Sequence, residues 1–456
     1  MAARKTIAVI DIGKTNAKVV LVDGRTFREI AVRTVPNGVI DAAPYPHFDT
    51  ERLWSFILDS LKALNAEHPI DAISVTTHGA TAALVGEDGR LVLPVLDYEH
   101  PAPQEVAEDF RSVRPAFAET GTPTLPGGLN AGLQLYWQSH RFPDAFARTR
   151  WILMYAQYWS FRLTGVAASE VTSLGCHADL WEPRQGRYSS LVSGQGWTAL
   201  MPPVRKAADT LGPLLTEIAV ATGIRADVPV HCGIHDSNAS LLPYVLTREA
   251  PYAVVSTGTW VVVMAIGAKP VVLDEARDTL VNVNALGEPV PSSRFMGGRA
   301  FALLGGRPDA ASDEAIVSVL ERGAMILPSL PEDSGPYAGR KSTWTVPRDE
   351  LEEDEAQAAI AFHLALMTTT CLDLIGAQGE VVVEGPFATN RTYLLMLKAA
   401  TGRAVLAGGS ATGTSIGAAC LAAGGDAPEQ GVAEFLDVPP PGMVDYARRW
   451  RALAGG

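Results

Sequence analysis

Two apolar runs rich in β-branched residues, Ile7 to Ile10 and Ala17 to Val22, flank the short polar stretch Asp11-Ile12-Gly13-Lys14-Thr15-Asn16. That pattern predicts a β-hairpin whose turn carries the chemistry. The pattern recurs once: Tyr252 to Gly267 again reads strand, small polar turn, strand. Ala8 to Gly13 and Ala253 to Gly258 align without a gap, with Ser256 where Asp11 stands. Between the copies the spacing predicts a third strand over Phe27 to Thr34 and a helix over Glu51 to Asn65. Thr50 would cap that helix, and Leu53, Phe56, Ile57, Leu61 and Leu64 share one face. A buried strand over Asp71 to Thr77 follows, then an Asp88-Gly89 hairpin. Gly121 to Gly128 is irregular, and Asn130 to His140 is helical. Trp151 to Met154 forms a strand leading into a helix that ends at Gly165. Leu211 to Gly223 reads as an amphipathic helix closed by glycine, and Val228 to Cys232 as a strand. In the second half, Glu352 to Ile375 is the longest helix, with Ala358, Phe362, Ala365, Leu366 and Leu372 inward. Val381 to Val383 is a strand, Thr412 to Ala423 a helix of small residues, and the tail ends in a short basic helix.

A hairpin repeated once per half implies two similar α/β domains facing a shared cleft. The length of 456 residues allows two or three domains, and 47% hydrophobic with 19% charged residues is a globular composition. A net charge of −13 argues against nucleic acid or an anionic membrane as partner, because both are held through basic patches. The cysteines, Cys176, Cys232, Cys371 and Cys420, lie far apart with no CxxC, so buried free thiols in a reducing cytoplasm are expected. The first strand starts within a few residues of Met1, which leaves no room for a signal peptide. No apolar run is expected to approach a membrane span.

The polar stretches define the candidate chemistry. Gly13 permits close backbone approach to a ligand, and Thr15 and Asn16 add short donors for phosphate oxygens. Asp11, at a strand end, suits Mg²⁺ held through water, since that ion takes few protein carboxylates. The Asp71 to Thr77 strand ends in Thr76-Thr77-His78-Gly79-Ala80-Thr81, and ligands gather at such strand ends, so His78 is a candidate for sugar hydroxyls. Asp236 follows the strand ending at Cys232 and precedes Ser237 and Asn238. It reads either as a helix cap or as a carboxylate beside a sugar hydroxyl. Phe295-Met296-Gly297-Gly298 precedes a helix, and a glycine-rich helix entry of this kind suits phosphate or nucleotide contact.

With both hairpins and Gly233-Ile234-His235-Asp236-Ser237-Asn238-Ala239 in place, the chain resembles the FGGY family of carbohydrate kinases over nearly its whole length. The resemblance implies two duplicated ribonuclease H-like domains of the actin/Hsp70/sugar kinase type around a central cleft. Residues 1–234 would bind sugar and phosphate; residues 235–456 would carry the catalytic Asp and the nucleotide. It implies Asp236 as catalytic base, and His78, Gly79, Asp97, Asp236 and Asn238 as sugar contacts. Gly13, Lys14, Thr15 and Asn16, with Thr257, Gly258 and Thr259, would hold phosphates, and Gly298 phosphate or nucleotide. Gly385 and Asn390 belong to an adenosine motif, and Asp11 and Asp236 would hold Mg²⁺. Two departures stand out: Pro386 replaces the family's second glycine, and the small-residue helix after position 410 lacks an acidic start. The resemblance implies ATP and Mg²⁺ as cofactors, and a small sugar as substrate. The Lys14-Thr15-Asn16 turn is closest to fuculokinases and favours a ketose such as L-fuculose or L-rhamnulose, with xylulose, ribulose and a polyol open. A homodimer is expected from relatives, with no interface legible. The alternative is a catalytically weak sugar- or nucleotide-sensing protein of the same fold.

Overall fold

Strands Thr6–Ile12 and Asn16–Asp23 pair antiparallel, with Asp11 opposite Lys18, and Glu29–Pro36 extends the sheet beyond them. On the other side Thr6–Ile12 runs parallel to Ala72–Thr77, which in turn pairs with Pro229–His231 and Ile234–His235. The computed structural model describes residues 5–408, 413–429 and 431–455. All residues of Thr6–Ile12 are buried, because helices cover both faces of the sheet. Ala8, Ile10 and Ile12 meet Leu53, Ile57 and Leu61 of the Thr50–Glu67 helix and Trp159 of the Tyr155–Thr164 helix. Ile7 and Val9, pointing to the opposite face by the two-residue period of a strand, meet Ala239 and Leu242 of the Asp236–Thr247 helix and Ile416 of the Gly413–Ala422 helix.

The second sheet repeats this order. Tyr252–Thr257 pairs antiparallel with Val261–Ile266, which pairs with Pro289–Phe295. On its other side Tyr252–Thr257 runs parallel to Glu380–Glu384, and that strand to Val405–Gly408. The chain divides into two compact units. The first is Met1–Arg248 with Val281–Pro289 and Thr412–Glu429; the second is Glu249–Leu280 with Val290–Ala411 and Gln430–Gly456. The boundary expected after residue 234 therefore falls between Arg248 and Glu249. Ile234–His235 is hydrogen-bonded to Ala72–Thr77, which ties Asp236 and its helix to the first sheet.

Other expectations are corrected locally. The first helix is capped by Asp49, whose side chain accepts from the Arg52 N–H, with Thr50 already helical. Only the C-terminal part of Leu211 to Gly223 is helical, Thr216–Thr222. Thr210–Pro213 is a strand paired with Pro229–His231. Glu353–Leu374 spans 22 residues and is by length and composition apolar enough to cross a membrane, contrary to the expectation, yet 89% of its most apolar window is buried in the second unit. The small residues of Gly413–Ala422 serve close packing in the first unit: a Cβ at Gly417 would lie 1.7 Å from the Ala239 carbonyl oxygen on the Asp236–Thr247 helix. Residues 409–412, where the acidic start is missing, lie outside the described residues.

Candidate active site

In the first unit Asp236 opens its helix, so its side chain stands at the strand end rather than in the core, with 32% of it exposed. His235 is the cap residue, buried, with Nε2 3.2 Å from Asp236 Oδ1. The Ser237 N–H donates to the same oxygen at 2.6 Å, and the Ser237 hydroxyl approaches it at 3.3 Å. Behind His235 lies a fully buried polar cluster. The His235 N–H donates to Thr172 Oγ1 at 3.0 Å, and the Thr172 hydroxyl donates to Glu170 Oε2 at 2.5 Å. Burial pushes the Glu170 carboxyl up, to about 7, against the hydrogen bonds it accepts from Thr172 and Ser173. Burial also opposes charge on both Cys176 and His235. Nearby charges outweigh it: His177 and then His235 lower the thiol, while Cys176 and then Asp236 raise the imidazole.

The His78-Gly79 loop is fastened to the first hairpin by the His78 N–H, which donates to the Ile12 carbonyl at 2.9 Å. The His78 ring sits among Phe48, Tyr98 and Tyr155 at centroid distances of 5.0, 5.3 and 5.0 Å. Burial lowers its pKa to about 4, so it is neutral at pH 7. Its Nδ1 lies 3.0 Å from the Gly79 carbonyl and therefore carries the proton, while Nε2 is buried without a partner. Asn238 Oδ1 is likewise buried and unpartnered. Two orphaned acceptors beside Asp236 call for donors, which hydroxyl groups are.

Lys14, in the turn, reaches across to an acidic pair. Its ammonium pairs with Asp97 and, at 3.3 Å, with Glu99, above the Tyr98 and Phe48 rings at 4.6 and 5.1 Å. It thus joins the expected sugar contact Asp97 rather than the turn. The turn itself is tied internally: the Gly13 N–H donates to the Asn16 carbonyl at 2.9 Å, and Asn37 Nδ2 donates to the Gly13 carbonyl at 2.8 Å. Thr15 and Asn16 are exposed. Asp11 accepts from the Ser415 hydroxyl at 2.9 Å, and its pKa is raised by burial, with the Asp236 charge adding to the shift and Ser415 and Lys18 opposing it. Among the described residues no group of three or more His, Cys, Asp or Glu could hold a metal. Two neighbouring carboxylates, Asp11 buried and Asp236 partly exposed, nonetheless fit Mg²⁺, which takes few protein carboxylates and keeps most of its waters.

In the second unit a pocket of about 330 Å³ is lined by Gly258, Thr259, Gly298, Phe301, Pro308, Pro386, Phe387 and Asn390. Its walls are built on close backbone contact. A Cβ at Gly298 would lie 2.2 Å from the Gly258 carbonyl oxygen, and one at Gly385 2.1 Å from that of Thr257. Gly298 lines the pocket while its own N–H donates to the Gly258 carbonyl at 3.1 Å, a close approach that only a glycine allows. Thr257 is a strut: its hydroxyl donates to the Glu384 carbonyl at 2.6 Å and accepts from the Phe387 N–H at 3.1 Å. Asn390 lines the pocket, but its Oδ1 caps the Arg391–Thr401 helix by accepting from the Tyr393 N–H at 2.9 Å, which leaves only its amide nitrogen for a ligand. Pro386 starts the short 3-10 turn Pro386–Thr389, a position whose N–H has no helical partner, so its missing donor costs nothing there.

Of the expected residues, His78, Gly79, Asp236 and Asn238 gather near one another, with Asp11 close enough to feel the Asp236 charge; Gly258, Thr259, Gly298 and Asn390 line the second unit's pocket. Sequence reasoning missed His235, Thr172 and Glu170, which support Asp236 from below. Only the place of His235 inside the Asp236 motif hinted at such a role.

Two sheets of one strand order, each built on a hairpin with a parallel neighbour, define a duplicated ribonuclease H-like α/β protein. The sequence model of the FGGY family of carbohydrate kinases, N-terminal domain, matches residues 6–243, and that of the carbohydrate kinase FGGY C-terminal domain matches residues 249–430. The chain belongs to the FGGY family of carbohydrate kinases. It is similar to the crystal structure of a carbohydrate kinase from Novosphingobium aromaticivorans, at 39% identity and a TM-score of 0.90, over 98% of this chain and 100% of that one. A xylulose kinase from Rhodospirillum rubrum shares the fold, at 20% identity and a TM-score of 0.79, over 99% of this chain and 98% of that one. The L-fuculokinase of Salmonella typhi is 25% identical over 57% of this chain and 56% of that protein, so the match spans little more than half the length of this curated relative.

Proposed function

We propose that this protein transfers the γ-phosphate of ATP to a hydroxyl group of a small carbohydrate, with Asp236 taking the proton of the attacking hydroxyl. The observation that carries this is the partly exposed Asp236 carboxylate beside two buried, unpartnered acceptors, His78 Nε2 and Asn238 Oδ1. Each acceptor gains a partner when a polyhydroxylated molecule docks, and the carboxylate then lies within reach of one hydroxyl. The neutral His78 suits this better than an imidazolium would, because it can accept.

Phosphoryl transfer needs positioning and charge neutralisation more than covalent help. The glycine-built pocket of the second unit would take the nucleotide, with Gly258 and Thr259 at one wall and Pro386, Phe387 and Asn390 at the other. Mg²⁺ bound by Asp11 and Asp236 would neutralise charge on the phosphate oxygens. Lys14, Asp97 and Glu99 form an ion-pair cluster over aromatic rings, polar enough on top and apolar beneath to orient a sugar.

For the substrate we favour a ketose such as L-fuculose or L-rhamnulose. Similarity to L-fuculokinases supports it, and the xylulose kinases among the structural neighbours keep xylulose in the panel. The buried free thiols are consistent with a reducing cytoplasm. The test is ADP release with Mg-ATP across ketoses, aldoses and polyols. One sugar raising the rate well above the ATP-only background supports the kinase reading. ATP and sugar binding without any stimulated turnover would replace it with the sensing role.

A further inference from the structure

His235 has a role that its position next to Asp236 does not by itself require. Its ring occupies a notch under the His78-Gly79 loop: a Cβ at position 79 would lie 2.6 Å from His235 Nε2 and 2.9 Å from its Cδ2. No other residue at position 79 leaves the ring where it is. On one side Nε2 reaches Asp236 Oδ1 at 3.2 Å; on the other, Nδ1 lies 3.4 Å from Asn238 Nδ2. The backbone is held as firmly, by the His235 N–H to Thr172 Oγ1 at 3.0 Å and Thr172 Oγ1 to Glu170 Oε2 at 2.5 Å.

The consequence falls on the two oxygens of Asp236. Oδ1 receives His235 Nε2, the Ser237 N–H at 2.6 Å and the Ser237 hydroxyl at 3.3 Å. A carboxylate oxygen engaged by that many donors is a poor base, and the other, Oδ2, is left as the oxygen that accepts a proton. His235 Nε2 is taken up by Asp236 Oδ1, and its buried Nδ1 faces the Asn238 side chain, so His235 is not itself placed to act on a substrate.

We propose that His235 is a positioning residue, seated in the notch that glycine at position 79 leaves open, which pins Asp236 Oδ1 and thereby presents Oδ2 to the acceptor hydroxyl. This rests on the kinase reading above, since it assigns the orientation of the base in that reaction. Without the ring the Asp236 side chain keeps its Ser237 contacts but gains rotational freedom, and a misplacement of about 1 Å costs on the order of 100-fold in rate.

The experiment is steady-state kinetics of the parent, His235→Ala, His235→Gln, Gly79→Ala and the Gly79→Ala/His235→Ala double variant, with the sugar that the parent turns over best. His235→Ala lowers kcat by roughly 10- to 100-fold while KM for sugar and for ATP stays within about threefold, because the base and not the binding groups is disturbed. His235→Gln, whose amide can still donate to Oδ1, recovers most of the loss. Gly79→Ala, by pushing the ring aside, lowers kcat similarly, but adds less than about threefold in the His235→Ala background, where the notch is empty. The double variant gives the cycle that a merely structural role would not: two independent losses would multiply. The inference is overturned if His235→Ala keeps kcat within about twofold, if the loss lies in KM, or if the two losses multiply. A His235→Ala chain that does not fold leaves His235→Gln and Gly79→Ala to decide: an unchanged kcat in Gly79→Ala overturns it. A parent that turns over no sugar refutes the kinase reading and the inference with it, whereas an active parent with an indifferent His235 refutes the inference alone.

Discussion

Gly385 is the position at which the second unit's pocket is most exposed to a single methyl group. Its backbone has φ 82° and ψ −164°, a region of backbone space that residues other than glycine essentially do not enter. Forcing alanine into it costs about 1–3 kcal/mol. The new Cβ would also lie 2.1 Å from the Thr257 carbonyl oxygen and 2.8 Å from Thr257 Oγ1, so the turn must move away from the Tyr252–Thr257 strand. Moving it breaks the Thr257 hydroxyl's bonds to the Glu384 carbonyl and the Phe387 N–H, each worth about 1 kcal/mol net. Gly385→Ala is therefore expected to cost roughly 3–5 kcal/mol in all. At about 2–4 °C per kcal/mol for a unit of this size, the melting transition that includes the second unit falls by on the order of 10 °C. Because Pro386 and Phe387 line the pocket, ATP affinity falls with it, by about tenfold or more. Differential scanning calorimetry with and without ATP, together with ATP titration calorimetry, reads both effects. A melting midpoint within about 2 °C of the parent and an ATP affinity within about twofold would refute the reasoning, since neither the backbone strain nor the Thr257 contact would then exist.

Two further outcomes are expected. Lys14→Ala, which removes the partner of Asp97 and Glu99, raises KM for the sugar about fivefold and leaves KM for ATP within about twofold; the reverse pattern would return Lys14 to the phosphates. Glu170, buried and raised to about 7 from its usual 4.5, contributes stability that is fully present below its unfolded pKa and is lost as pH rises through the folded one. Relative to Glu170→Gln, the parent therefore loses on the order of 2–3 kcal/mol of unfolding free energy between about pH 5 and pH 8; parallel stability curves from urea titrations would contradict this.

The repeated hairpin was legible because its strands are buried on both faces and read as unbroken apolar runs around a polar turn. That Asp236, His78 and Gly258 stand at strand ends and turns was legible for a related reason: polar and small residues interrupt those runs there. Pairings made at a distance were not. The unit boundary was misplaced because the strand Ile234–His235 is only two residues long and declares itself only by bonding to Ala72–Thr77. Leu211 to Pro213 carries apolar residues compatible with either period, and its partner Pro229–His231 decided for a strand. The pairing of Lys14 with Asp97 and Glu99 was not legible either, because a long flexible side chain goes where the charge is, and those carboxylates are elsewhere in the sequence. His235 was overlooked for the same reason. Its meaning depends on a missing Cβ at Gly79, and an absence in one loop cannot be matched to a ring in another from the sequence alone.

The central claim is that Asp236 is the base of a sugar kinase. The most direct measurement compares the parent with Asp236→Ala in sugar-dependent ADP release, alongside calorimetric affinity for the same sugar. The account predicts that turnover falls by about 100-fold or more while sugar affinity changes by no more than a few-fold. Sugar-dependent turnover that survives in Asp236→Ala would contradict it.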